Sequence, residues 1–177
     1  MTAFLNILIS ILLIMAPILF FDFSEQQDWS QWKIQNDTVM GGRSASQLVR
    51  NDAGNAVFKG AVSLENNGGF AMVEYYFDEW NVTDFSKVLL RLKGDGKRYQ
   101  FRIKNKRSDS HSYIHYFETS GEWEIIAIPL EDMFPQFRGR KLDRANFNAD
   151  QIEGIAFFIG NKKAQDFALE IDKIMFE

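Results

Sequence analysis

The chain has no cysteine. That excludes disulfides, thiolate zinc sites, iron–sulfur clusters and cysteine nucleophiles together. Histidine occurs twice and proline three times in 177 residues, leaving little room for histidine-based metal chemistry and none for a proline-rich or collagen-like chain. His111 and His115 stand four apart, but on a strand that spacing spans about 13 Å, too far for one metal ion. H-E-x-x-H and G-x-S-x-G are both missing, and so are phosphate-cradling glycine loops of the usual spacings. Glu122 and Glu124 alternate with Trp123 and Ile125. They share a face, which alone does not make the flanking carboxylate pair of a glycosidase. No metal, cofactor or covalent nucleophile is expected.

Charge is missing from the beginning of the chain: no ionisable side chain precedes Asp22, and Phe4–Phe21 is nearly all apolar. Pro17 interrupts the run, and Ile18–Phe23 reads as a strand. Residues 1–17 are therefore set apart as a hydrophobic leader, and 18–177 as a single domain. Three readings of the leader stand: an export signal, an uncleaved anchor, or an extension from an upstream start codon. Exported or membrane-associated placement, with membrane contact through the leader, follows from the first two, and a cytoplasmic one from the third.

What is present is aromatic and strand-forming. Hydrophobic residues make up 46% and aromatics 15%, with 17 phenylalanines, enough for a large core. Strands are expected at Ala56–Val62, Phe70–Phe77, Val88–Lys93, Arg98–Lys104, Ser112–Glu118, Glu122–Pro129, Ile155–Ile159 and Phe167–Phe176. The Gly94-Asp95-Gly96 turn predicts a hairpin between the third and fourth of these, and Ser120-Gly121 a second hairpin. Leu130–Phe134 reads as one short turn and 135–150 as a long loop. The series implies an all-β two-sheet sandwich or jelly roll.

Net charge is −4 with a pI near 5.3, yet residues 91–107 hold eight basic side chains against Asp95 alone. On the fourth strand Arg98, Arg102 and Lys104 alternate with Tyr99, Phe101 and Ile103. This predicts a basic row pointing outward over a buried aromatic face. With Lys93 nearby, the row is the candidate surface for an acidic protein partner. The aromatics belong to the opposite face and the pI is acidic, so no nucleic-acid partner is expected. Trp80 and Trp123 are the candidate platforms for a sugar, with core packing as their alternative role.

Several segments, in order, resemble the family of complex I (NADH:ubiquinone oxidoreductase) intermediate-associated proteins, the mitochondrial assembly factor and its bacterial relatives. They are Trp32–Ser44, with Asn36, Asp37, Met40, Gly41 and Gly42; Phe58-Lys59-Gly60; and Ser63–Phe70, with Gly68 and Gly69. Then come Leu92–Tyr99, with Gly94 and Gly96; Gly121-Glu122-Trp123; and Phe137–Arg140. The resemblance covers roughly residues 19–177. It implies a galactose-binding-domain-like jelly roll and a non-catalytic, chaperone-like assembly role. The implied clients are respiratory-complex subunits or intermediates. Having no long charged leader, the chain is expected to be a bacterial-type member. The glycines of these motifs are read as structural. A carbohydrate-binding module of the same fold is the alternative.

Overall fold

A computed structural model describes residues 16–26 and 28–177. Residues 1–15, most of the expected leader, lie outside the described residues. The rest form thirteen strands and three short 3-10 turns, with no α-helix among the described residues.

The first sheet runs β3 (Ala45–Arg50), β4 (Ala56–Val62), β13 (Gln165–Phe176), β6 (Lys87–Lys93), β9 (Trp123–Pro129), and β1 (Ile18–Asp22) joins the far end of β13. The second runs β11 (Arg140–Lys141), β10 (Phe134–Phe137), β8 (Ser112–Glu118), β7 (Arg98–Lys104), β12 (Gln151–Ile159), β5 (Ala71–Asn81), β2 (Trp32–Asn36). Every pairing is antiparallel. The two sheets pack face to face as a galactose-binding-like jelly roll.

Period-2 alternation builds this core. Val88, Leu90 and Leu92 of β6 and Tyr99, Phe101 and Ile103 of β7 are buried in one cluster with Phe157, Leu169 and Phe176. Each such side chain withdrawn from water contributes about 1.5–3 kcal/mol. The Tyr99 hydroxyl reaches the core boundary and donates to Asp95 Oδ1 at 2.9 Å.

Both expected hairpins are corrected. β6 and β7 lie in different sheets, as do β8 and β9. The turns at 94–97 and 119–122 carry the chain across the sandwich rather than back along one sheet. The reason is that strands on either side of each turn bury an apolar face, which two stacked strands satisfy as well as two paired ones. Turn residues specify a reversal, not its plane. The long loop expected over 135–150 is also corrected, because β10 and β11 form a small hairpin within it. Their turn, Arg138-Gly139, has φ values of 48° and 78°, consistent with a tight two-residue connection.

Candidate functional site

The outward face of the second sheet holds a cleft of about 640 Å³. Strand register determines its floor. Met72, Phe158 and Gln100 form one row across β5, β12 and β7. Glu74, Ala156 and Arg102 form the next, and Tyr76, Gly154 and Lys104 the third. The small residues are all on the middle strand. Ala156 and Gly154 leave room for the long side chains on either side to meet. A Cβ at Gly154 would stand 2.7 Å from the Tyr76 ring.

One wall comes from the 3-10 turn Asp37–Met40 and the Gly69-Phe70 segment, the other from Phe137–Gly139. The first wall is organised by Asp37, which is fully buried. Its Oδ1 accepts from the Ser44 N–H at 2.9 Å, and its Oδ2 from the Ser44 hydroxyl, the Gly69 N–H at 2.6 Å and the Phe70 N–H at 3.3 Å. Burial alone would raise this carboxyl; the donors, Ser44 foremost, more than offset it and hold it below the usual carboxylate range. The carboxylate sits where side chains at Gly42 and Gly68 would be, 2.3 Å and 2.5 Å from their ideal Cβ positions. Gly42 and Gly68, two of the glycines that carried the resemblance, thus stand around one acid, and the Gly69 N–H donates to it. Gly94 is similar: its Cβ would stand 2.2 Å from Thr119 Oγ1, which accepts from the Gly96 and Lys97 N–H groups.

The Arg102 guanidinium lies over the Phe158 ring, its central carbon 3.7 Å from the centroid. Nε and Nη2 donate to Gln100 Oε1 at 2.9 and 2.6 Å, and Nη2 reaches Gln136 Oε1 at 3.4 Å. Withdrawal from bulk solvent pushes its pKa down to about 10, which still leaves it cationic at neutral pH. Burial likewise lowers Lys104, against the pull of Asp109 and Glu74. Its Nζ donates to the Asp109 and His111 carbonyls. Burial raises Glu74, although Tyr76, which donates to it at 3.0 Å, and the nearby Lys104, Arg107 and Arg102 pull the other way. Tyr76 is driven far above the ordinary phenol range by burial and by Glu74. Arg107 lies 4.9 Å over the Tyr76 ring, and Arg138 stands on the opposite wall.

The structure brings together part of the expected basic row. Arg102 and Lys104 are in the cleft floor. Arg98 is on the same outward face but beyond the cleft, over Tyr116 at 4.7 Å. Lys93 is on β6 in the other sheet, opposite Glu170, so it does not join the row. The two tryptophans are apart. Trp80 packs edge-on against Phe20 at 5.0 Å, at the core margin. Trp123 is on edge strand β9 of the first sheet, 38% exposed beneath Arg91 at 4.8 Å. Neither lines the cleft. His115 points inward opposite Phe101, and His111 stands against Tyr113. Among the described residues, no group of three or more His, Asp or Glu side chains is placed to hold a metal. Sequence reasoning missed Glu74, Tyr76, Phe158, Gln100 and Gln136. Alternation from Arg102 reaches Gln100, but β5 is aromatic on both faces and gives no comparable signal.

The family model described as Complex I intermediate-associated protein 30 matches residues 21–171. A Caenorhabditis elegans protein described as probable complex I intermediate-associated protein 30, mitochondrial, is 28% identical over 177 residues, covering 86% of this chain and 52% of that protein. The Mus musculus complex I intermediate-associated protein 30, mitochondrial, is 26% identical over 175 residues, covering 86% and 53%. The chain spans about half the length of these curated relatives. Among solved structures, a family 11 carbohydrate-binding module from Clostridium thermocellum, in complex with a β-1,3-1,4-mixed-linked tetrasaccharide, superposes with a TM-score of 0.65. Identity is 15%, with 90% of this chain and 94% of that one covered. At that identity the likeness is one of fold.

Proposed function

The chain belongs to the complex I intermediate-associated protein 30 family, and from that premise we propose that it is a non-catalytic module that holds a protein client in the cleft of its second sheet. The client class is a subunit or assembly intermediate of a respiratory complex. The observation that supports this reading most directly is the cleft's make-up: an open trough with cations on its floor and wall and exposed apolar side chains on its rim. Met40 and Val39 stand 58% and 66% exposed there. Flexible thioethers beside aliphatic groups suit a polypeptide surface. The lining has no histidine, and its carboxylate, Glu74, is held by Tyr76 rather than set beside a nucleophile. Arg102 and Lys104, with Arg98 at the margin, are the proposed client contacts.

The test is affinity pulldown of the tagged full chain from its own membranes, with mass spectrometry of what co-purifies. Enrichment of respiratory-complex subunits over an equally charged control protein is the expected result. Retention on immobilised mixed-linked β-glucan, without such enrichment, would replace this reading with a carbohydrate-binding one. The cleft's aromatics weigh against that outcome: the Phe158 ring is covered by Arg102, and it stacks with Phe70 at 5.4 Å.

A further inference from the structure

We infer that the cleft floor is a carboxylate-binding site in which Arg102 Nη1 takes an Asp or Glu side chain of an extended peptide. The inference rests on the reading of the cleft as the client surface and names the chemistry that surface recognises. Its starting point is a missing partner. Among the described residues Arg102 has no carboxylate within 4 Å: the ion pairs found involve Arg43, Lys87, Arg91, Lys97 and Lys173. Arg102 is half-buried, and a guanidinium already drawn partly out of water with no carboxylate bonded to it can take one at little further desolvation cost.

The guanidinium is also fixed in place. Gln100 and Gln136, 4% and 7% exposed, hold Nε and Nη2, and Phe158 supports the flat underside. Among the described residues Nη1 donates to no protein acceptor, and it is not sealed from solvent. Its two N–H groups are donors left open in the cleft lining. A guanidinium whose other edge is already tied loses little freedom on binding, and charge-assisted bonds to a carboxylate are the strong kind.

The neighbouring charges agree. Lys104 is two residues along the same face, about 7 Å away, while Arg107 and Arg138 flank the cleft. Glu74 and Asp109 are the acids opposing them. Glu74 stands across Ala156 from Arg102, its backbone two strands or about 10 Å away; its charge acts on the guanidinium, but no ion pair joins the two, and its carboxylate accepts from Tyr76. Met72, Met40 and Val39 line the same cleft. The preferred segment therefore alternates acidic and aliphatic residues. A uronic-acid oligosaccharide would supply the carboxylate but would need an aromatic face, and the Phe158 face is occupied by Arg102.

The experiment measures binding of two fluorescent hexapeptides to the full chain: one alternates leucine with glutamate, and its twin carries glutamine instead. Trigalacturonate and cellotetraose serve as competitors. The glutamate peptide should bind at least about tenfold tighter than its twin, with the preference shrinking as salt rises. Arg102→Gln should reduce the preference to less than about twofold, while Lys93→Gln, in the other sheet, leaves it unchanged. Because the peptide comparison is made on the unaltered protein, it decides the matter even if Arg102→Gln does not fold. Equal binding of the twins, or displacement of the glutamate peptide by trigalacturonate at lower concentration than by the unlabelled peptide itself, would overturn the inference. If the twins bind equally while membrane pulldown still enriches respiratory subunits, the carboxylate inference falls and the client reading stands. If the glutamate peptide binds and pulldown finds no such subunits, the reverse holds.

Discussion

Ser44 donates twice to Asp37, its N–H to one carboxylate oxygen and its hydroxyl to the other. A residue seven positions downstream, at the mouth of β3, thereby closes the loop that forms one cleft wall. Asp37→Ala should remove the acceptor for four donors at once and cost about 3 kcal/mol or more. Ser44→Ala should cost less, about 1–2 kcal/mol. Urea midpoints of the two variants against the parent check the order.

The same acid gives the stability a pH dependence. Asp37 and Asp22 are both held below the ordinary carboxylate pKa. For each, burial opposes the shift and hydrogen bonding outweighs it, with Lys173 and Ser24 serving Asp22. A depressed folded-state pKa stabilises above the unfolded value near 4, and that contribution is lost as pH falls through the folded one. Melting temperature should therefore drop below about pH 4. An Asp37→Asn variant, already weaker at neutral pH, should show a shallower drop over the same range.

Glu74 has the opposite sign. Its folded-state pKa is raised, chiefly by burial, so its ionisation opposes folding and the penalty grows as pH rises past the unfolded value near 4. Glu74→Gln should melt at or above the parent temperature at pH 7, and the difference should vanish near pH 3. Thermal melts at the two pH values decide it. A fall in stability at pH 7 would mean that the hydrogen bond from Tyr76 matters more than the buried charge.

Gly42→Ala should destabilise the fold by about 2 kcal/mol, because the new methyl meets the Asp37 carboxylate rather than a flexible side chain. Combined with Asp37→Ala, which vacates that space, the second substitution should cost much less than it does alone. A double-mutant cycle on chemical denaturation measures the coupling.

Trp123→Ala and Lys93→Glu change the first sheet's outer surface, away from the cleft. Each should shift stability by less than about 1 kcal/mol. Each should leave client recovery in membrane pulldown as in the parent, whereas Arg102→Gln reduces it. Loss of client with Trp123→Ala would move the binding surface to the other sheet.

How far the residue pattern alone reaches can be judged strand by strand. Ala56–Val62 coincides with β4 and Arg98–Lys104 with β7, because alternation and bounding turn residues are local properties. Partnership between strands is not local. Val88–Lys93 and Arg98–Lys104 are consecutive and both amphipathic, and nothing in either records that they pair with β9 and β13 or with β8 and β12. The site divides the same way. Arg102 and Lys104 were visible on one face of one strand. Their relation to Glu74, Phe158 and Gln136 exists only through the register of three other strands, and the exclusion of Lys93 only through the crossing at Gly94–Lys97.

The two central strands, β12 and β13, are the last to be made. β13 bonds to β1, β4 and β6, and β12 to β5 and β7. A ribosome that has translated as far as Asp150 has produced every edge of both sheets but neither of the two strands that join their parts. Until β13 is made, β4 and β6 have no strand between them, and until β12 is made Arg102 has no Phe158 beneath it. Before then β3 can pair with β4, β6 with β9, β2 with β5 and β7 with β8, so each sheet exists only as separate pieces. Completion of both sheets, and with it the floor of the cleft, therefore waits for the last two strands.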